Sequence, residues 1–242
     1  MYHSVTIGEK NTWTDWHLIP SSPPIVNPPS VFEKMIDIPG LDGQYDQTEF
    51  LKGRPLFGSR TGSWEFLVMN DYWEWYTAYK TILNYLHGKR FRCVLEDDSG
   101  YYYDGRFKIN GWKSEKDWSR ITIDYTMDPY KKSILSTANG GDWLWDPFNF
   151  LTGYISNLGN VTISGTKEIV IYGGTDYDSP NVTLLSGDST MTYKALDGTN
   201  KTITLTVNEP VSPEDILIVA GENTVTFTGD GAIRIDYREG LL

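Results

Sequence analysis

The chain has 242 residues, a length that predicts one or two domains of about 100–200 residues each. Its net charge of −11 disfavours a nucleic-acid-binding protein, because such proteins usually carry a basic stripe. No apolar run approaches the ~18 residues of a membrane span, and the N-terminal residues lack the features of a secretory signal. We therefore expect no membrane segment and no export by the general pathway. Cys93, the only cysteine, excludes an intramolecular disulfide and is predicted to be an inert core thiol.

Charge and tryptophan are unevenly distributed along the chain. Residues 1–139 carry 16 basic and 18 acidic side chains, whereas residues 140–242 carry 5 and 14. All nine tryptophans lie at or before Trp145. We predict a first domain over residues 1–138 and a second over residues 139–242, with the apolar segment 143–150 docking one on the other.

The first forty residues predict short strands that flank a proline-rich segment. Residues 2–7 alternate in polarity and read as a strand, and residues 13–19 as a second extended piece. Five prolines then crowd residues 20–29, which we call the strap, and predict a stiff extended chain. The strap either lies across a neighbouring surface or is an ordinary connection. Residues 31–38 alternate again, and Asp42-Gly43 is a strong hairpin-turn signal.

One helix and further strands complete the predicted first domain. The aromatic and aliphatic residues of segment 71–86 recur with helical spacing, and Gly88 is placed to end the helix. A helix packed on antiparallel strands predicts an α+β layer. The strands are predicted at residues 63–68, 91–95, 101–112 and 118–127.

The second domain is predicted to be a β-sandwich or jelly roll, because short strands alternate with Gly, Asp and Asn turns. Eight strands are predicted, at residues 161–164, 168–172, 182–185, 191–195, 202–207, 216–219, 224–228 and 233–237.

Residues with catalytic or metal-binding spacing are scarce. The three histidines have no partner at such spacing, and no nucleophile elbow, phosphate loop or zinc pattern occurs. Asp176 and Asp178 favour a solvated turn, with a calcium site as the alternative. We therefore predict no enzymatic activity and no cofactor.

Seven segments occur in this order along the chain: Trp-Thr-Asp-Trp-His-Leu-Ile-Pro (13–20), Ile-Pro-Gly-Leu-Asp-Gly (38–43), Arg-Pro-Leu-Phe-Gly-Ser-Arg-Thr-Gly-Ser-Trp-Glu-Phe (54–66), Tyr-Leu-His-Gly-Lys (85–89), Leu-Glu-Asp-Asp (95–98), Tyr-Tyr-Tyr-Asp-Gly-Arg (101–106) and Ile-Thr-Ile-Asp-Tyr (121–125). Together they resemble the distal tail protein of siphophages. The resemblance covers roughly residues 2–150 and implies a mainly β fold. It implies an N-terminal domain related to tail-tube proteins, a sheet or split barrel with one flanking helix, and a C-terminal galectin-like β-sandwich.

The resemblance also implies an assembly and a location. Six copies would close into a ring at the tail tip, linking the tail tube protein to the baseplate hub or a tail-associated lysin, while DNA passes the lumen without specific binding. A receptor-binding protein is a further candidate partner. The expected location is the virion, or the host cytoplasm before assembly, with a prophage as a possible source.

A cyclic ring needs heterologous interfaces that close on themselves, so we predict interface residues on candidate edge strands 2–7 and 31–38 and on nearby glycine-rich turns. Two other functions stay open: a carbohydrate-binding module that recognises the host surface through the second domain, and a glycan or peptidoglycan hydrolase. The predicted interface residues are Val5, Ile7, Ile36, Ile38, Asp42, Gly43, Phe57, Arg60 and Trp64.

Overall fold

A computed structural model describes residues 2–40, 42–50, 53–68, 72–114, 119–139, 157–176, 178–216 and 218–242. The chain divides into two compact units, Met1–Pro129 and Tyr130–Leu242. Mainly β structure with one α-helix in the described residues confirms the predicted fold class. No helix within these ranges is both long and apolar enough to cross a membrane.

The first unit is an antiparallel sheet in the order β2-β1-β7-β8-β9-β6-β3, with a separate pair formed by β4 and β5. Its elements are β1 (Val5–Ile7), β2 (Lys10–Asn11), β3 (Leu18–Pro20), β4 (Met35–Asp37), β5 (Gln44–Asp46), β6 (Arg60–Val68), α1 (Tyr72–Leu86), β7 (Arg90–Leu95), a 3-10 helix (Glu96–Asp98), β8 (Tyr101–Ser114) and β9 (Ser119–Met127).

Alternating side chains build the core of this unit. Every second residue of β9 from Ser119 to Met127 is buried, as expected for a strand with one face on the core. Trp75, Ile82 and Leu86 of α1 belong to the same apolar cluster, so the helix covers that face of the sheet. Gly88, at φ 76°, ends the helix as predicted, since glycine adopts this left-handed conformation without strain.

Cys93 lies at the centre of this core and is fully buried, which confirms its predicted place. Burial raises the pKa of its thiol well above the usual range, because the thiolate is not solvated there. The thiol is therefore unreactive in the folded protein.

The second unit is a sheet in the order β11-β15-β12-β13, with β14 on β12. The prediction of eight short strands is wrong in number, because three pairs of them are continuous long strands. In the segment predicted at 216–219, the described residues form only one bridge, between Ile216 and Ala195. The elements are β10 (Lys131–Ser133), a 3-10 helix (Thr137–Asn139), β11 (Val161–Gly173), β12 (Asn181–Lys194), β13 (Asn200–Leu205), β14 (Pro210–Val211), β15 (Gly221–Asp236) and β16 (Gly240–Leu241).

A row of glycines crosses the three long strands at their middles. Gly165 pairs with Gly229, and Gly187 pairs with Gly231. No residue of segments 164–168, 186–188 and 228–232 is buried, whereas both ends of each strand enter one apolar core. A bulge between Leu184 and Ser186 adds a further irregularity. Strands that bend in this way allow one sheet to supply both layers of a core.

β10 pairs with β16, and the Thr137 backbone N–H donates to the Tyr237 carbonyl oxygen at 3.0 Å. The predicted domain boundary between residues 138 and 139 stays a prediction. The predicted docking segment 143–150, the first residue of the predicted helix and the first residue of the strand predicted at 118–127 lie outside the described residues.

Candidate assembly site

The hairpin of residues 30–58, which we call the arm, leaves the first unit between the strap and β6. At its base the Gly58 N–H donates to the Ser30 carbonyl at 2.8 Å, and Val31 bridges Phe57. Farther out, β4 and β5 pair antiparallel through three residues each. Gly40 and Gly43 have φ of 88° and 87°, conformations that explain the turn signals read in the sequence.

The arm has no core of its own in the part that is described. None of the described residues between 31 and 50 is buried. Phe50 exposes 79 % and Phe32 60 % of their surface. An isolated two-stranded hairpin is marginally stable in water, and a contiguous apolar surface indicates an interaction site. The exposed apolar residues of the arm are Val31, Phe32, Met35, Ile38, Tyr45 and Phe50.

The arm is also acidic. Residues 30–58 carry five acidic side chains against three basic ones, a net charge of −2. The acidic residues are Glu33, Asp37, Asp42, Asp46 and Glu49, and the basic ones are Lys34, Lys52 and Arg54. Hydrogen bonds from the hydroxyl and the backbone N–H of Thr48 lower the pKa of Asp46, so its charge persists below the usual range. A shallow depression of about 370 Å³ lies among Tyr45, Asp46, Gln47, Glu49 and Phe50.

The strap lies on the sheet of its own unit. It continues from β3 along β6, where its prolines supply no N–H donors. Side chains of the sheet make the contacts instead: Trp64 Nε1 donates to the Ile25 carbonyl at 2.8 Å, and the Asn27 N–H donates to Tyr125 Oη at 3.0 Å. Its hydrogen bonds in the described structure are therefore made to its own sheet.

Arg60, the first residue of β6, is 4 % exposed and joins the strap to the end of the unit. Its Nη1 donates to the Asn27 carbonyl at 3.0 Å and its Nε to the Pro129 carbonyl at 2.7 Å. Its Nη2 is buried with no hydrogen-bond partner in the described structure. Burial lowers the pKa of the guanidinium, partly offset by Tyr103 and Tyr125, and its carbon lies 5.7 Å from the Tyr103 ring centre.

The predicted interface residues fall into two groups. Val5, Ile7, Arg60 and Trp64 are buried in their own unit, so their side chains are not available to a neighbouring molecule. The expectation that strand 2–7 is a sheet edge is wrong, because β1 pairs with both β2 and β7. The other five lie on the arm: Ile38, Asp42 and Gly43 are exposed, and Ile36 and Phe57 are half-buried.

Sequence reasoning missed Phe32 and Phe50, the two most exposed phenylalanines among the described residues. Phe32 lies in an alternating segment that predicts an ordinary half-buried strand, and Phe50 stands among polar residues without any period. The excess of turn signals between residues 39 and 43 is the sequence feature that could have marked the region as a projecting hairpin.

Residues with potential chemistry lie apart from one another. His3 Nδ1 lies 2.7 Å from Asp97 Oδ2, and His87 Nδ1 accepts from the Ile109 N–H at 3.1 Å. Within the described ranges no group of three or more His, Cys, Asp or Glu could hold a metal ion. Burial, with a smaller contribution from Asp178, raises the pKa of Asp176.

The aromatic residues of the second unit bear on the carbohydrate-binding alternative. Tyr193, Phe227 and Tyr237 are buried in its core, and Tyr172 is half-buried with its hydroxyl 2.9 Å from Glu222 Oε1. Tyr154 and Tyr177 lie outside the described residues. The described part of this unit thus presents no freely exposed aromatic ring for a sugar to stack on.

The described residues form two mainly antiparallel β units. The first unit has one flanking helix and an exposed apolar arm. This architecture is similar to the crystal structure of Dit (gp 19.1) of phage SPP1, described as a paradigm of the hub adsorption apparatus in phages that infect Gram-positive bacteria. The TM-score is 0.60 over 99 % of both chains, at 11 % sequence identity. The resemblance to siphophage distal tail proteins is thereby confirmed for the fold. No family model and no curated protein matches the sequence.

Proposed function

We propose that this protein is a structural component of a siphophage tail tip. In this proposal six copies form a ring that joins the tail tube to the baseplate hub and lets DNA pass. The fold likeness to Dit over nearly the whole of both chains supports a tail role. The observation that carries the assembly is the arm, whose apolar side chains Val31, Phe32, Met35, Ile38, Tyr45 and Phe50 are each 44–79 % exposed.

The partner of the arm is a second copy of this chain. A cyclic ring uses heterologous contacts, in which one surface of each subunit meets a different surface of the next. A projecting hairpin suits that geometry, because it extends away from the subunit that carries it. Full burial of one phenylalanine side chain contributes about 1.5–3 kcal/mol, so covering the exposed parts of Phe32 and Phe50 would stabilise such a contact by a few kcal/mol.

The charge of the first unit is compatible with a DNA conduit. Its residues 1–129 carry 14 basic and 18 acidic side chains, so they give no excess of cations that would hold phosphates during passage. Residues 130–242 carry 7 basic and 14 acidic side chains, and the proposal places them outside the lumen as a galectin-like domain. We propose the tail tube protein and a baseplate hub protein or tail-associated lysin as partners, with a receptor-binding protein as a further candidate. The protein would act in the virion and be present in the host cytoplasm before assembly, as a structural protein and not an enzyme.

Light scattering after size exclusion tests the role of the arm. The full-length protein should reach the mass of a hexamer as its concentration rises, and the double variant Phe32→Ser/Phe50→Ser should stay monomeric. Leu196→Ser, in the second unit, removes a similarly exposed apolar side chain (51 % exposed) and serves as the control. Circular dichroism should show both variants folded, since neither alters a core. A stable wild-type dimer, or equal assembly by the double variant, would overturn the proposal.

A further inference from the structure

The geometry points to Arg60 as a positioning residue that sets the direction in which the arm leaves the first unit. The inference rests on the proposed function, because it assigns Arg60 a role in presenting the arm to the next subunit. It concerns the root of the arm, where both strands of the hairpin meet the sheet.

Arg60 lies between the two chain segments that connect the arm to the first unit, which we call its legs. One leg enters through Asn27, Pro28 and Pro29 before the base at Ser30, and the other returns through Gly58 and Ser59 into Arg60. The bond from Nη1 to the Asn27 carbonyl links these legs, and the bond from Nε to the Pro129 carbonyl ties them to the end of β9. Asn27 Nδ2 also donates to the Thr61 carbonyl at 2.9 Å.

The two legs differ in stiffness, so the hydrogen bond between Arg60 and Asn27 affects the direction of the arm. Pro28 and Pro29 fix two backbone φ angles between Asn27 and the arm, so the orientation of Asn27 is transmitted to Ser30. A side chain at Gly58 would require its neighbours to shift, because an added Cβ would lie 3.3 Å from the Phe32 ring and closer still to Ser30 Oγ. The arm thus leaves the unit between a rigid leg and a tightly packed one.

Burying an arginine at this position has a large desolvation free energy. No carboxylate pairs with the guanidinium in the described structure, and Nη2 has no hydrogen-bond partner there. An apolar side chain could occupy the space without that desolvation cost. What the arginine supplies is two directed donors from one planar group, each reaching a backbone carbonyl of a different segment. Its contribution is therefore the relative position of these segments.

Spin-label distances measure that position directly. Gln44→Cys on the arm and Lys108→Cys on β8 are both exposed, whereas Cys93 is fully buried and remains unlabelled. Below the assembly concentration, the protein with Arg60 intact should give one narrow distance distribution. Arg60→Met should broaden it and raise the concentration needed for assembly about tenfold, the loss expected for one charged hydrogen bond. Arg60→Lys, which keeps the charge but not the planar pair of donors, should lie between the two.

Met127→Ala is the matched control, since Met127 pairs with Arg60 across the sheet and is fully buried. It should lower stability without broadening the distances. Unchanged distances in Arg60→Met, or broadened distances with normal assembly, would overturn this inference and leave the proposed function intact. A protein with intact Arg60 that never assembles would overturn the proposed function, and the assembly role of Arg60 with it.

Discussion

Gly62 lies beneath the strap, and its replacement by alanine is expected to push the strap away from the sheet. The added Cβ would lie 2.6 Å from Tyr125 Cζ and 2.7 Å from Asn27 Nδ2, with Tyr125 Oη closer still. These separations are shorter than any real contact of a Cβ atom, so the neighbouring groups must move. Gly62 does not have a positive φ, so the backbone itself tolerates alanine. The clash therefore acts only on the groups that hold the strap.

Three hydrogen bonds set the size of the effect. They join the Asn27 N–H to Tyr125 Oη (3.0 Å), Tyr125 Oη to the Ile25 carbonyl (3.3 Å) and Asn27 Nδ2 to the Thr61 carbonyl (2.9 Å). Each contributes about 1 kcal/mol net, and forcing a methyl group into a packed site costs about 1–3 kcal/mol. We expect Gly62→Ala to lower the free energy of unfolding of the first unit by about 2–3 kcal/mol.

Urea unfolding followed by tryptophan fluorescence measures this loss. The signal reports mainly on the first unit, because Trp13, Trp16, Trp64, Trp75 and Trp112 all lie there. Gly111→Ala on β8 is the control, since its added Cβ would meet no atom within 4 Å, and it should change stability by less than about 0.5 kcal/mol. Hydrogen exchange at the Asn27 amide should accelerate only in Gly62→Ala. Equal stabilities of the two variants would refute the docking of the strap described above.

Two further predictions concern the second unit. Gly229→Ala should destabilise it by about 2 kcal/mol or more in thermal unfolding, because Gly229 has φ 139° and an added Cβ would lie 2.9 Å from Ser189 Cα. The control is Gly198→Asn, at an open turn with φ 82°, which should change the stability by less than about 0.5 kcal/mol. A Gly229→Ala variant as stable as the wild type would contradict the bend of the strands. The second prediction concerns Asp176, whose pKa is raised by burial. The folded state then becomes less stable as the pH rises from the ordinary pKa of 3.8 through the raised one, because the buried carboxyl must lose its proton. Asp176→Asn should therefore stabilise the unit at neutral pH, by on the order of 1 kcal/mol, and flatten its stability above pH 3.8, whereas an unchanged pH profile would count against a buried carboxylate there.

The helix and the central strands were predictable because their apolar residues repeat with a clear period. Trp75, Ile82 and Leu86 share one helical face, and β9 alternates throughout its length. The same reasoning predicts two short strands in place of each long strand of the second unit. Gly165, Gly187 and Gly229 resemble turn residues in the sequence, although the strands continue through them. A glycine that permits a bend within a strand and one that ends a strand look alike in sequence.

Pairing partners and the burial of charge could not be read from the sequence. Alternation in residues 2–7 predicts a strand but does not reveal that both of its edges are paired. Arg60 reads as a surface cation, since arginine is seldom fully buried, and only the fold brings Asn27 and Pro129 to its guanidinium. Residues 31–38 and the Asp42-Gly43 turn are predicted interface elements. Their exposure arises because no described element covers the arm, and local sequence does not encode that.

Negative-stain electron microscopy of the concentrated full-length protein tests the proposed ring assembly most directly. Class averages should contain an annulus with six subunits around a central hole, and Phe32→Ser/Phe50→Ser should abolish it. Particles without a hole at every concentration, or an annulus that persists in the double variant, would contradict assembly through the arm.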